Sequence, residues 1–163
     1  MFLTNIDKIL QAMPDVKNGY YLPFHESHLD NFEGILEYES KAITLEDRKR
    51  LLVYQSVYGP CITAIVNRRP VAIFGLMFHW KGVGEAWSVF AEESRRYPIA
   101  MTKGAIAFFD ICKILFNLHR IQITVKCNDK RAVRWAKGLS FVEEGVMVKY
   151  SADQEDTFMM RRT

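Results

Sequence analysis

From Tyr97 to Phe141 the chain reads YPIAMTKGAIAFFDICKILFNLHRIQITVKCNDKRAVRWAKGLSF, and this stretch constrains the fold more than any other. Pro98 stands where proline is tolerated, in the first turn of a helix. From Ile99 to Leu118 most positions are apolar. The exceptions Lys103, Asp110, Lys113 and Asn117 fall 7, 3 and 4 residues apart, which makes one narrow polar stripe. A helix with so thin a wet face has to lie on a sheet. Ile121, Ile123 and Val125 then alternate with Gln122, Thr124 and Lys126, the period of a strand. Asp129 is expected to cap a helix Lys130–Lys137, with Gly138 as its C-cap. Helix, strand and helix in this order predict an α/β layering with the long helix across the sheet.

A chain of 163 residues, 49% of them hydrophobic, is long enough for one full-sized core. The net charge of +3 is scattered, with pairs at Arg68–Arg69, Arg95–Arg96 and Arg161–Arg162. Nucleic-acid binding calls for a stronger, clustered excess. Cys61, Cys112 and Cys127 sit in apolar periodic segments without metal-ligand spacing, so they read as free buried thiols in a reducing compartment. No apolar run reaches the roughly 18 residues of a membrane span. The N-terminus has no basic region followed by an apolar core, so the expected location is cytoplasmic.

In chain order, apolar residues at 2, 3, 6, 9, 10 and 13 give a first helix closed by Pro14. Gly19–Phe24 reads as a strand that Pro23 places at an edge or at its own end. Ser27 is expected to cap a helix His28–Tyr38. Thr44, with Asp47 three residues on, starts another helix that runs to about Val57, and Gly59–Pro60 breaks it. Three strands follow in an antiparallel meander: Cys61–Val66, Val71–Phe78 and Gly84–Phe90. After the central helix, strand and second helix come two last strands, Phe141–Tyr150 and Asp156–Arg161. No linker or repeat interrupts this, so residues 1–163 are read as one domain, with 1–18 a helical extension before a core at 19–163.

A meander feeding a central helix resembles the GNAT family of acetyl-CoA-dependent N-acyltransferases, over nearly the whole chain from Gly19. RAVRWAKGLSF at 131–141 looks like the family's helix followed by Leu-Gly-Phe, with Leu139, Ser140 and Phe141 at those places. The strand ending in Cys127-Asn128-Asp129 looks like the family's fifth strand with its exit Asn, and NRRPVAIFGL looks like its second hairpin. The resemblance implies a single-domain α/β (α+β) fold with a mixed, mostly antiparallel sheet and helices on both faces, in which the fourth and fifth strands splay apart. It implies acetyl-CoA as cosubstrate and an amine acceptor. The places that would hold acetyl-CoA are Val89 and Phe90 on the fourth strand, Ser94, Arg95 and Arg96 before the central helix, and Asn128, Asp129 and Arg131. Val89 backbone would orient the thioester, and Glu85 would act as the base through water, with a solvated outward strand residue as the alternative reading of Glu85.

The sequence also departs from that family. Its pyrophosphate loop carries glycines that let backbone N–H groups approach phosphate. Here the loop is Glu92-Glu93-Ser94-Arg95-Arg96-Tyr97-Pro98, without glycine and with one donor removed by Pro98. Where the family often has a Tyr that protonates the leaving thiolate, this chain has Ala136. Departures of this kind, the Tyr-Pro at the loop's end and Arg-x-x-Arg-Trp in the second helix look like the divergent GNAT-like proteins of tailed bacteriophages. That resemblance implies a second reading: a catalytically degenerate binding or structural module, associated with a virion or its assembly, with a phage or host protein as partner. The location would then be the host cytoplasm or the particle. The C-terminal strand pair is a common dimer surface in the family, which leaves a homodimer open.

The remaining candidates are weaker. His25, Glu26 and His28 in FHESH read as polar residues at a helix start, with a metal site or, with Tyr38, an acceptor cleft as alternatives. His79 and Trp80 read as exposed residues at a hairpin tip. Phe108, Phe109 and Phe116 read as core. The basic side chains from Lys126 to Arg134 read either as a solvated face or as partners for the 3′-phosphate of CoA.

Overall fold

The computed structural model describes residues 2–163, with side chains from residue 5 onward. The Phe2 and Leu3 side chains of the first helix therefore lie outside the described residues. Seven strands form one sheet: β1 (Gly19–Pro23), β2 (Cys61–Val66), β3 (Arg69–Trp80), β4 (Val83–Phe90), β5 (Arg120–Lys126), β6 (Val142–Met147) and β7 (Thr157–Arg162). Their spatial order is β1-β2-β3-β4-β5-β7-β6. Every neighbouring pair is antiparallel except β4 and β5, which run parallel.

Helices cover both faces. The helices α1 (Phe2–Ala12), α4 (Pro98–Leu115) and α5 (Lys130–Gly138) lie on one face. Their core partners include Ile62, Ala64, Phe74, Leu76 and Met160. A 3₁₀ turn (Glu26–Phe32), α2 (Glu33–Glu39) and α3 (Leu45–Ser56) cover the other, where Leu29, Phe32, Leu36 and Leu52 meet Cys61, Ile73 and Val89. Strand β2 is buried at every residue because strands flank it on both edges and helices cover it on both faces, which explains its unbroken apolar sequence. Phe74 stacks on Phe108 of α4 with ring centroids 6.1 Å apart. Burying a ring that size contributes roughly 2–3 kcal/mol.

The structure corrects several local expectations. The helix read from Ser27 is a 3₁₀ turn followed by α2, and its cap is His25, whose ring accepts from the Ser27 N–H at 3.1 Å. The central helix stops at Leu115, because Asn117 turns to a positive φ of 50° and Leu118 N–H bonds back to Lys113. Gly138 stays inside α5; Leu139 is the C-cap and Ser140 takes the left-handed conformation at φ 73°. Asp129 does cap α5, accepting from Ala132 N–H at 3.1 Å, and Thr44 caps α3 through Asp47 N–H at 3.2 Å. No helix among the described residues is long and apolar enough to cross a membrane.

Candidate functional site

The parallel ladder between β4 and β5 is short. It pairs Val83 with Arg120, Gly84 with Ile121 and Glu85 with Gln122, and then ends. From Ala86 onward the two strands diverge into a fork. Each keeps its outer partner: β4 stays on β3 as far as Phe90, and β5 stays on β7 as far as Lys126.

The phase of the β3–β4 ladder decides which backbone groups face the gap. Ala91 N–H donates to Val71 C=O at 2.9 Å, so the odd-numbered residues of β4 turn their N–H and C=O toward β3. The even-numbered ones face β5. Gly82 follows the same alternation, its carbonyl accepting from Arg120 N–H at 3.1 Å. The backbone groups pointing into the fork are therefore those of Ser88 and Phe90. This corrects the role expected of Val89, whose backbone belongs to the ladder with β3 and whose side chain is buried in the core.

At the base of the fork sits Glu85, on the face covered by the 3₁₀ turn, α2 and α3. Gln122 Nε2 donates to its Oε1 at 3.0 Å, and His79 Nε2 lies 3.3 Å from the same oxygen. Arg120 Nε in turn donates to Gln122 Oε1 at 2.9 Å, which fixes the amide so that its nitrogen faces Glu85. His79 is exposed near the hairpin tip, as expected, but its ring also reaches Glu85, whose side chain is only 20% exposed: Met77 pairs with Glu85 across the hairpin, and His79 follows on the same face.

At the mouth of the fork the loop between β4 and α4 forms a 3₁₀ turn, Glu92–Arg96. Ser94 is buried, and its hydroxyl donates back to Ala91 C=O at 2.7 Å. Arg95 and Arg96 are exposed. Tyr97 precedes α4 without a capping side-chain bond, and Pro98 follows at the first helical position. Glu93, one of two carboxylates at this loop, is drawn aside by Asn31 at 3.2 Å and Arg69 at 3.4 Å.

Across the fork on the α4 side stands Trp135 of α5. Its indole meets Phe90 edge-on, with centroids 5.1 Å apart, and its Nε1–H donates to Thr102 Oγ1 of α4 at 3.1 Å. One aromatic side chain thus ties α5, α4 and β4 together over the gap. Its neighbour Ala136 is buried in the core.

The other expected residues disperse. Asp129 is occupied as the cap of α5, and Asn128 bonds to Glu155. Arg131 is exposed, while Lys130 and Arg134 line a shallow groove with Cys127, Val133 and Lys137. Lys126 leaves the basic group altogether. Its Nζ donates to Glu39 C=O at 2.9 Å and sits 3.4 Å from Glu155 and 3.8 Å from Asp153. His25 and His28 form a mutual capping box, and His28 Nδ1 lies 2.8 Å from the buried Thr63 hydroxyl. Burial, and then the neighbouring His25, hold the His28 ring below the usual histidine range. Among the described residues no three His, Cys, Asp or Glu side chains gather as a metal ion requires.

No family model matches this sequence, and no curated protein sequence matches it. Solved structures do. Ard1 from Thermoplasma volcanium superposes with a TM-score of 0.75 at 17% identity, over 90% of this chain and 97% of that one. A GNAT-family acetyltransferase from Bacillus anthracis gives 0.70 at 14% identity, over 92% and 97%. RimL, a ribosomal α-N-protein acetyltransferase in complex with coenzyme A, gives 0.70 at 13% identity, over 92% and 96%. The chain has the GNAT fold: a mixed seven-stranded sheet with a splayed parallel pair and helices on both faces.

Proposed function

We propose that this chain is an acetyl-CoA-dependent N-acyltransferase that transfers the acetyl group directly to an amine. The observation that carries the reading is the fork that opens immediately beyond Glu85 and Gln122. Its inner edge offers the backbone groups of Ser88 and Phe90 to an amide-bearing arm, which suits a pantetheine chain. Two of these fold neighbours are acetyltransferases, and the RimL structure is a coenzyme A complex.

The phosphate end fits less closely, because the loop has no glycine and Ser94 is turned inward. Arg95 and Arg96, exposed beside it, would supply the charge that the backbone does not. Asn128 and Arg131, and Asp129 through its helix cap, would border the nucleotide.

Acetyl-CoA supplies an activated thioester. The amine nitrogen forms a bond to the acyl carbon as the carbon–sulfur bond breaks, and the electron pair leaves with sulfur. The proton shed by the amine goes to Glu85, directly or through one water, and the thiolate takes up a proton from solvent. What supports this role is that Gln122 and His79 both engage Glu85 through one oxygen, Oε1. The test is thiol release from acetyl-CoA across a panel of amines and peptide N-termini. Glu85→Gln should cut turnover about 100-fold, the usual weight of a general base, and leave acetyl-CoA affinity unchanged.

A second reading is favoured by Trp135, which spans the mouth of the fork. In that reading the closed fork belongs to a binding module without chemistry, such as a particle or host-interaction protein, and acetyl-CoA does not bind.

A further inference from the structure

We propose that His79 is a positioning residue for Glu85, one jaw of a clamp that leaves a single oxygen free to accept a proton. The inference rests on the acyltransferase reading above. Two donors converge on Glu85 Oε1 from opposite sides: Gln122 Nε2 at 3.0 Å from β5 and His79 Nε2 at 3.3 Å from β3. An ionised carboxylate only accepts hydrogen bonds, so His79 donates and carries its proton on Nε2. The Gln122 jaw is itself braced. Arg120 Nε, a donor only, engages the amide oxygen at 2.9 Å, and Glu144 Oε2 receives Arg120 Nη1 at 3.1 Å.

The clamp stands at the last rung of the β4–β5 ladder. A glutamate side chain on a strand rotates about three torsions. With Oε1 taken from both sides, that rotation is arrested, and neither donor engages Oε2. Holding a base in one orientation contributes to rate without changing how tightly the acyl donor binds. His79 is 29% exposed on its side chain, so it can be exchanged without opening the core.

The full chain carrying His79→Ala should keep its acetyl-CoA affinity within about twofold and lose about tenfold in kcat, the effect of loosening a base rather than removing it. His79→Gln, which again presents an N–H donor, should restore most of the loss. In a Glu85→Gln background, His79→Ala should cost nothing further, since the carboxylate it orients has gone. The same tenfold loss in that background, or a loss confined to KM for acetyl-CoA, would overturn the proposal.

A measurement without turnover separates this proposal from the one beneath it. The ring nitrogen resonances of His79 should move on Glu85→Gln, and unmoved resonances overturn the clamp. A wild-type chain whose His79 ring responds but which acetylates no amine refutes the acyltransferase reading, and the clamp's catalytic purpose with it, while upholding the contact.

Discussion

Glu85 and Gln122 are the last residues to pair across β4 and β5, and their side chains bond at that final rung, 3.0 Å apart. Beyond Ala86 the β5-facing amides of β4 have no strand to bond. The amides of Ser88 and Phe90 are therefore expected to exchange with solvent deuterium faster than those of Trp87 and Val89, which face β3. Residue-resolved exchange by NMR checks the alternation. Equal protection along all four would mean that the strands close on each other in solution.

Trp135 bridges the fork to Thr102 and Phe90. Trp135→Ala should cost about 2 kcal/mol, less than a fully buried aromatic because the ring is half-buried. For a chain this size that lowers Tm by about 4–8 °C. It should also tighten acetyl-CoA binding about five- to tenfold, because the open conformer no longer has to displace the indole. Calorimetric titration checks this, and weaker binding would show that the indole is a contact for the ligand.

Tyr21 and Gly104 share one small space. The Tyr21 hydroxyl is buried without a hydrogen-bond partner in the structure, and burial pushes its pKa up to about 12. A side chain at Gly104 would place its Cβ 2.5 Å from that hydroxyl, while the next atoms, on Phe74 and Tyr21 itself, stand at 3.5 and 3.6 Å. Tyr21→Phe should stabilise the chain by about 1 kcal/mol by removing an unpaired polar group. Gly104→Ala alone should destabilise. On the Tyr21→Phe background the sign should reverse, since alanine is about 1 kcal/mol better than glycine within a helix. Denaturant melts of the four variants complete the cycle, and additivity would contradict the shared space.

The segment between α2 and α3 is strapped to the turn before β7, where Ala42 N–H donates to Asp153 Oδ1 at 3.1 Å. A hydrogen bond from Ser40, foremost, holds the Asp153 carboxyl below the usual aspartate range; the Ala42 and Lys41 N–H groups and the Lys126 charge add to this. A folded value below the unfolded one means that the strap's contribution is complete above the ordinary aspartate pKa, about 3.9. It is lost as pH falls through the lower folded value. The Ala42 amide resonance should stay constant from pH 7 to about 4.5 and move only below that, and Asp153→Asn should abolish the movement.

Local signals carried the fold. The alternation in β5, the narrow stripe on α4 and the caps at Thr44 and Asp129 lie within a few residues of what they specify, so one sequence reveals them. The sequence placed Glu85 on the fourth strand, and the resemblance, not the strand's own pattern, suggested a role for it. The contact of His79 with Glu85 escaped because it follows from the register of the β3–β4 hairpin, which sets Met77 opposite Glu85 and His79 next on the same face. Trp135 escaped because its partner Thr102 is 33 residues away. His25 caps the 3₁₀ turn where the sequence points to Ser27, because its reciprocal bond to His28, which itself leans on Thr63 35 residues on, has no sequence signature. The ladder phase that puts Ser88 in place of Val89 beside Phe90 is set by the pairing of β3 with β4, as in the bond from Ala91 to Val71, and has no local signature.

Amide exchange of Ser88 and Phe90 with and without millimolar acetyl-CoA tests the account most directly. The two amides should slow on addition of the ligand, together with those of the Glu92–Arg96 turn, while Trp87 and Val89 stay as they were. Unchanged rates at Ser88 and Phe90 under saturating ligand, or slowing confined to another part of the surface, would contradict it.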